Sequence, residues 1–331
     1  MADESYEAIV AEQVGEKFTQ SVKECLLSDL PDNDVLIRVH YSSLNYKDAL
    51  SATGHKGITK FYPFTPGIDA AGIVAISNSA LFSEGDEVIV TSYDLGMNTP
   101  GGFGQYISVP ADWIVPLPKN LSLKESMTIG TSGLTAAIGI DKLTRHSFNQ
   151  DSPEALVTGA TGGVGSFAVA LLAHLNYRVV AATGKMDQAD FLTSLGAGTV
   201  IHRDDVLNVP ENPLLSSRWP AAIDTVGGKI LDSILRQVSH NGFVACCGNV
   251  LGNQLDTSIL PFILRGITLA GIDSGIARME LRKTIWNKLA DEWKPAALHK
   301  LAREVKLHDL PKEIEAILNG KQIGKVLVNL L

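Results

Sequence analysis

The stretch Ala155-Leu-Val-Thr-Gly-Ala-Thr-Gly-Gly-Val-Gly-Ser-Phe-Ala-Val-Ala-Leu-Leu172 carries the most informative pattern in this sequence. A short apolar strand ends at Thr158, and Gly162 and Gly165 then take the second and third positions of a G-x-G-x-x-G turn, with Ala160 at the first. The second glycine of such a turn lets the backbone approach a pyrophosphate, and the third lets the next helix pack closely on the strand. The helix N-terminus offers unpaired N–H groups to the phosphates. The stretch therefore predicts dinucleotide binding; the alternative is a tight strand-to-helix turn without a ligand.

The residues after the next strand indicate which dinucleotide is bound. NAD-binding folds usually place an acidic residue near the end of that strand, where it binds the ribose 2′-hydroxyl. Here the predicted strand Arg178–Ala182 runs into Thr183-Gly184-Lys185, and the first acidic residue is Asp187. A hydroxyl and a cation suit a 2′-phosphate, and Arg203, just past the following strand, offers a second cation. We therefore predict NADPH as the cofactor; alternatively, the two cationic side chains are simply solvated.

The chain divides into a β-rich part and a part in which strands and helices alternate. Short segments rich in β-branched residues predict strands in the first part: Val35–Val39, Ala70–Ile76, Glu87–Thr91 and Gln105–Val109. Short apolar runs separated by helical segments predict a parallel sheet in the second: Ala155–Thr158, Arg178–Ala182, Ala221–Asp224 and Gly242–Cys246. We therefore predict a compact β barrel or sandwich followed by a doubly wound α/β domain.

Three further signals mark elements outside these runs. Ser122-Leu-Lys-Glu125 is a capping box, which predicts a helix from about Leu123. Ile323–Asn329 predicts a terminal strand that returns to the first domain. Arg278–Lys306 is rich in basic residues and predicts an amphipathic helix with a solvated basic face.

Composition and charge exclude several classes of protein. The 331 residues are 45% hydrophobic and 19% charged, which is a globular balance. The formal net charge of −8 argues against general nucleic-acid binding. Three cysteines without a CxxC motif suit a reducing compartment, and the acidic start lacks the features of a secretory signal, so we expect a cytoplasmic protein. The uncharged stretch Ala155–Tyr177 is long enough to span a bilayer, but its glycines favour strand, turn and helix, so we expect no membrane segment.

Further motifs are spread along nearly the whole chain: Ser42–Leu50, Pro66–Gly72, Gly101–Tyr106, Ile129–Thr131, Ala222–Gly227 and Pro261–Arg265. Together with the glycine turn, they resemble the medium-chain dehydrogenase/reductase superfamily and, within it, the YhdH/YhfP-type quinone oxidoreductases, which include acryloyl-CoA reductases. The resemblance implies a GroES-like, partly open β-barrel catalytic domain over residues 1–121 and 268–331. It also implies a Rossmann NADPH-binding domain over residues 122–267, and a homodimer.

The resemblance also implies positions for the site residues. Tyr46 is expected over the nicotinamide end of the cofactor, with Asn45 beside it. The remaining expected cofactor contacts fall into three groups: Thr161, Gly162, Gly163 and Val164 at the pyrophosphate; Thr183, Gly184, Lys185 and Arg203 at the adenosine 2′-phosphate; and Asn249, Ile263, Ser274 and Asn319 at the nicotinamide half.

The superfamily contains zinc enzymes, but this chain departs from their ligand pattern. Zinc members have Cys where this chain has Asn45, and a His-Glu pair where it has Ile68-Asp69. A catalytic zinc needs three good protein ligands, which Asn and Ile cannot supply, and the four-cysteine structural lobe is absent as well. We therefore predict a member without zinc, in which Asp69 fixes its own loop by local hydrogen bonds.

A zinc-free site favours a conjugated acceptor. Hydride can add to the β-carbon of a C=C–C=O group, and hydrogen-bond donors can stabilise the charge that develops on the carbonyl oxygen. A proton then reaches the α-carbon from a weak acid or from water. Tyr46 is the predicted catalytic donor, with Asn45 supporting it; alternatively, Tyr46 only packs on the nicotinamide ring.

These observations predict an NADPH-dependent reductase of activated C=C bonds, with acryloyl-CoA or a similar enoyl thioester as the expected substrate. His55, Lys56 and Lys60 could bind the phosphates of a CoA ester, or they could be solvated. NADPH:quinone reduction is the alternative reaction. A cofactor-binding protein with little turnover and a regulatory or structural role is the alternative class.

Overall fold

The computed structural model describes residues 4–146, 153–207, 210 and 212–331. Its strands are β1 (Ser5–Val14), β2 (Lys17–Leu26), β3 (Val35–Leu44), β4 (Asp69–Ser77), β5 (Glu87–Thr91), β6 (Tyr106–Val109), β7 (Ile114–Pro116), β8 (Glu154–Thr158), β9 (Arg178–Thr183), β10 (Thr199–His202), β11 (Trp219–Asp224), β12 (Val238–Cys246), β13 (Thr268–Gly271), β14 (Ala302–Lys306) and β15 (Lys325–Asn329). Its α-helices are α1 (Tyr46–Ala52), α2 (Leu123–Thr144), α3 (Gly163–His174), α4 (Ala189–Ser194), α5 (Asp204–Leu207), α6 (Gly228–Gln237), α7 (Leu260–Arg265), α8 (Met279–Ala290) and α9 (Leu310–Leu318).

The chain folds into two compact units. Unit 1 comprises Met1–Thr131, Gly275–Ala290 and Ala302–Leu331, and unit 2 comprises Ser132–Ser274 and Asp291–Leu301. The domain bounds predicted from the sequence have breaks after residues 121 and 267. They remain a prediction.

Unit 1 is built on a seven-stranded sheet. Its strand order is β14-β15-β3-β4-β5-β7, and β6 pairs with β3 off this path. Alternate residues of β3, Val35, Ile37 and Val39, are buried because successive side chains of a strand point to opposite faces. The last strand, β15, runs antiparallel to β3 with Val326 opposite Leu44. The predicted return of the terminal strand to the β-rich part of the chain is therefore confirmed.

Unit 2 is a parallel six-stranded sheet in the order β10-β9-β8-β11-β12-β13. Strand order reverses between β8 and β11, which is the topological switch point of a doubly wound fold and the place where such folds bind ligands. The predicted α/β fold is confirmed. The edge strand β13 was not predicted, because its four half-exposed residues, Thr268–Gly271, carry a weak apolar pattern.

Helix α2 begins as the capping box predicts and contains one kink. Glu125 N donates to Ser122 Oγ, and Ser122 N donates to a carboxylate oxygen of Glu125. The helix is interrupted at Gly130, whose φ of 50° is in the left-handed region. A Cβ at this position would lie 2.6 Å from Asp69 Oδ2, so the position requires glycine for space as well as for conformation.

The predicted amphipathic helix over residues 278–306 was partly wrong. Helix α8 ends at Ala290, and the predicted segment ends in the strand β14. Its basic residues are not all solvated, because Arg282 is fully buried. The Arg282 guanidinium donates to the carbonyls of Thr91, Gly275 and Ala277, which compensates for its loss of water. In the part of the chain that the structure describes, no helix is both long and apolar enough to cross a membrane.

Candidate functional site

Unit 1 carries a polar cluster at the start of α1. Asn45 precedes the helix and is 8% exposed, whereas Tyr46, its first residue, is 39% exposed. Asp48 in the first turn reaches back, and its Oδ2 accepts a hydrogen bond of 2.7 Å from Asn45 N. Its Oδ1 accepts from Ile68 N at 2.8 Å, so Asp48 joins the helix start to the chain just before β4.

Asp69 is the centre of this cluster. It is fully buried and accepts hydrogen bonds from Ser43 Oγ at 2.6 Å, Asn45 Nδ2 at 2.8 Å and Thr131 Oγ1 at 2.6 Å. Thr131 N also donates to both carboxylate oxygens at 3.0 Å. The expectation that Asp69 acts by local hydrogen bonds was wrong, because all of these donors are distant in sequence.

Lys325 of β15 completes the cluster. Its ammonium lies 2.6 Å from Asn45 Oδ1 and 3.5 Å from Asp69 Oδ2, and its side chain is only 2% exposed. We call Ser43, Asn45, Asp48, Asp69, Thr131 and Lys325 the carboxylate cluster.

The charges of the carboxylate cluster influence one another. Burial raises the pKa of Asp48 to about 7; the negative charge of Asp69 adds to this, while backbone donors and Lys325 oppose it. Burial also lowers the pKa of Lys325, and the two carboxylates oppose that shift. Burial therefore shifts both Asp48 and Lys325 toward their neutral forms.

The residues at the positions of a catalytic zinc do not fit the metal. Ile68 has no donor atom, the Asn45 oxygen accepts from Lys325, and the Asp69 carboxylate accepts from several neutral donors. Among the described residues, no group of three or more His, Cys, Asp or Glu side chains is arranged to hold a metal ion. Tyr46, by contrast, is an exposed residue at this end of α1.

Unit 2 carries the glycine turn between β8 and α3. Gly159 has a φ of 58°, and a Cβ at Gly165 would lie 2.3 Å from Gly159 O, so α3 packs against the turn as closely as the motif predicts. Gly162, Gly163 and Val164 are partly exposed. No side chain caps the N-terminus of α3, which leaves this end of the helix open to an anion.

The predicted 2′-phosphate residues lie together beside this turn. The Thr161 and Thr183 hydroxyls are 3.2 Å apart, and Lys185 N donates to Thr183 Oγ1 at 3.0 Å. The Arg203 guanidinium packs on Gly184, where a Cβ would lie 3.2 Å from Arg203 Nε. Burial lowers the pKa of Lys185, and the negative charge of Asp187 opposes the shift.

The remaining predicted cofactor residues are scattered. Ser274 is buried and its hydroxyl is 2.5 Å from that of Thr135, while Asn249 is exposed in the loop after β12. Ile263 is 63% exposed on α7. Asn319 belongs to unit 1, where its Nδ2 donates to Glu315 O at the end of α9. Their roles at a cofactor stay predictions.

Sequence reasoning missed Asp48, Lys325 and Asp224. Asp48 had a local signal, since an acidic residue three positions after Asn45 is typical of a helix N-terminus. Lys325 had none, because a lysine in a short terminal strand is normally exposed and only the pairing of β15 with β3 buries it.

Comparisons with known proteins agree with this geometry. The alcohol dehydrogenase GroES-like domain family matches residues 31–119, and the zinc-binding dehydrogenase family matches residues 163–291. The quinone oxidoreductase YhfP of Bacillus subtilis is 44% identical over 98% of this chain and 99% of its own length. The chain belongs to the medium-chain dehydrogenase/reductase superfamily. The predicted combination of a GroES-like and a Rossmann part is thereby confirmed.

Other members of this superfamily cover the chain equally well. The probable acrylyl-CoA reductase AcuI of Escherichia coli is 41% identical over 97% of this chain and 99% of its own. The solved YhdH oxidoreductase of Salmonella enterica in complex with NADP has a TM-score of 0.94 and 40% identity, covering 98% of this chain and 100% of that one. B. subtilis YhfP with NAD bound has a TM-score of 0.95 and 43% identity, covering 99% and 100%. This medium-chain dehydrogenase/reductase is therefore an oxidoreductase, and its relatives have been solved with either dinucleotide.

Proposed function

We propose that the protein is an NADPH-dependent, zinc-free reductase that adds hydride to an activated C=C bond, with acryloyl-CoA or a similar enoyl thioester as its substrate. The observation that carries this proposal is the donor set at the start of α1. Asn45 and Asp69 are held inside the carboxylate cluster, while Tyr46 is 39% exposed. Such a site offers an acceptor a hydrogen bond rather than a Lewis acid, which suits a conjugated carbonyl compound. A relative from Ruegeria pomeroyi that is named acrylyl-CoA reductase, 40% identical over 95% of this chain, supports the substrate class.

The dinucleotide is held by unit 2. Thr161, Gly162, Gly163 and Val164 bind the pyrophosphate through main-chain N–H groups and the N-terminus of α3. Thr183, Gly184, Lys185 and Arg203 hold the 2′-phosphate, which is the group that distinguishes NADPH from NADH. The cofactor supplies the hydride when it is bound.

Tyr46 acts on the substrate. The substrate's C=C bond takes the hydride at its β-carbon, and the electron pair of that bond moves toward the carbonyl, where negative charge develops on oxygen. The Tyr46 hydroxyl donates a hydrogen bond to this oxygen. The α-carbon then takes a proton from solvent or from Tyr46, and solvent reprotonates the phenol in the second case. Asn45 supports Tyr46 by fixing the helix start on which it lies.

NADPH:quinone reduction is the second candidate, because a quinone is also a conjugated carbonyl acceptor and the relative YhfP is named a quinone oxidoreductase. An NADPH-oxidation assay with acryloyl-CoA, crotonaldehyde and 1,4-benzoquinone separates the candidates. Rapid turnover of acryloyl-CoA with slow turnover of the quinone supports the primary proposal, and the reverse pattern supports the quinone. NADPH binding without oxidation by any acceptor indicates a low-turnover binding protein.

The same proposal includes a homodimer in the cytoplasm. In the described residues, β13 is one edge of the unit 2 sheet, and the residues Val250 and Leu264 are 60% and 55% exposed. Unpaired sheet edges and exposed apolar side chains are features of association surfaces. Light scattering at the mass of two chains is the expected result, and a single-chain mass refutes it. The three free cysteines suit a reducing compartment.

A further inference from the structure

A buried carboxylate bridges the topological switch point of unit 2. Asp224 ends β11 and Thr158 ends β8, and the two strands are paired with Ile223 opposite Val157. Both side chains are fully buried, and Thr158 Oγ1 donates to Asp224 Oδ1 at 2.7 Å. Thr158 is also the last residue before the glycine turn. Its hydrogen bond to Asp224 therefore fixes the residue at which the turn begins.

Among the described residues, the donors to the Asp224 carboxylate are neutral. Its Oδ1 accepts from Thr158 Oγ1, and its Oδ2 accepts from Gly227 N at 2.9 Å. Burial raises its pKa, and these donors oppose that shift. A buried carboxylate with several donors remains bound to all of them, because losing any one leaves a polar group unpaired in a water-free site.

Thr225 makes two further hydrogen bonds to Thr158. Its N–H donates to Thr158 Oγ1 at 3.1 Å, and its hydroxyl donates to Thr158 O at 2.8 Å. A Cβ at Gly159 would lie 2.4 Å from Thr225 Oγ1, so the turn is packed directly on this residue. Movement of the loop after β11 would therefore be transmitted to Gly159 and to the pyrophosphate turn behind it.

We propose that Asp224 is a positioning residue for cofactor binding, which fixes the glycine turn through Thr158 and Thr225 so that its main-chain N–H groups meet the cofactor diphosphate. This inference rests on the proposed use of NADPH. It differs from a general stabilising role in one respect. Asp224 is tied to the pyrophosphate turn, whereas the predicted 2′-phosphate residues lie after β9 and β10, so only ligands with a dinucleotide pyrophosphate should depend on it.

The test compares two ligands by calorimetry at fixed pH and salt. NADPH uses the turn and the 2′-phosphate residues, while adenosine 2′-monophosphate carries the 2′-phosphate but no 5′-phosphate, so it lacks the group that the turn binds. In Asp224→Asn and Thr158→Val, the Kd for NADPH should rise at least about tenfold, because the turn loses a hydrogen bond that holds its main-chain N–H groups in place. The Kd for adenosine 2′-monophosphate should change less than about twofold. Thr158→Ser keeps the hydroxyl and should retain most of the NADPH affinity.

Ser233→Ala is the matched control, since Ser233 is a buried hydroxyl of unit 2 that bonds Val206 O away from the turn. It should lower thermal stability without changing the ratio of the two Kd values. Equal weakening of both ligands in the Asp224 and Thr158 variants, or no weakening, overturns the positioning role. If the unmodified protein binds neither ligand, the proposed function fails and this inference fails with it. If Asp224→Asn does not fold, Thr158→Val and Thr158→Ser decide the result.

Discussion

Lys325 Nζ donates a hydrogen bond of 2.6 Å to Asn45 Oδ1, although 280 residues separate the two in the chain. An ammonium can only donate, so it fixes the amide with its oxygen toward Lys325 and its nitrogen toward Asp69, 2.8 Å away. The Asn45 amide is therefore oriented by one positive and one negative group. Because Asn45 precedes α1, the same pair holds the helix start that carries Tyr46.

Replacing Lys325 by Met should destabilise the protein by about 3–5 kcal/mol, because two buried carboxylates lose their cation. Urea unfolding at pH 7.5 measures this change. Lys325→Arg is the control, since it keeps the positive charge and should recover a substantial part of the loss. A Met variant as stable as the unmodified protein would show that the carboxylate cluster does not need the ammonium.

The contribution of Asp48 to the stability of the protein should fall as the pH rises from about 4 to about 7. Burial raises the pKa of Asp48 to about 7 in the folded chain, above the value of about 3.9 in an unfolded one, so the folded state holds an extra proton between these values. This contribution is fully present below pH 4 and is lost as the pH rises through 7. Asp48→Asn cannot titrate, so its thermal midpoint should vary less over this range than that of the unmodified protein. Parallel pH profiles would refute the assignment to Asp48.

Tyr46→Phe should lower kcat by about 10²-fold, which is the order of effect expected from losing one donor to a developing oxyanion. Affinity for NADPH should remain within about twofold, because the ring that could pack on the cofactor is kept. Steady-state kinetics with acryloyl-CoA measure the effect on kcat, and calorimetry measures the effect on NADPH affinity. Weaker NADPH binding with an unchanged kcat would favour a packing role.

Lys185→Ala should weaken NADPH binding by about tenfold and leave NADH binding almost unchanged, because we propose that this side chain binds the 2′-phosphate, which only NADPH carries. Arg203→Ala should also weaken NADPH binding more than NADH binding, since the Arg203 guanidinium packs on Gly184, another of the predicted 2′-phosphate residues. Lys283→Ala removes an exposed lysine of unit 1 and is the charge control. If the ratio of NADPH to NADH affinity stays constant in both variants, the 2′-phosphate is bound elsewhere.

Elements with strong local signals were predicted well, and those that depend on distant partners were not. The capping box at Ser122 and Glu125 placed the start of α2, because its hydrogen bonds join residues three apart. The hairpin of β1 and β2 was missed, because most of β2 is exposed and lacks a continuous apolar run. Arg282 was predicted to be solvated, because nothing near it in the sequence indicates the carbonyl groups that accept its hydrogen bonds.

The sequence by itself determined the parallel sheet of unit 2 and its glycine turn, because strand, turn and helix follow one another within a few residues and their conformations are set by local sterics. It also determined that positions 45 and 68 lack metal-ligating side chains. Only the tertiary structure decided that Lys325 meets Asn45 and Asp69, and that Asp224 meets Thr158. Each of these contacts joins segments that are distant in the sequence, and the burial that makes a charge significant arises only after the strands of each sheet have paired.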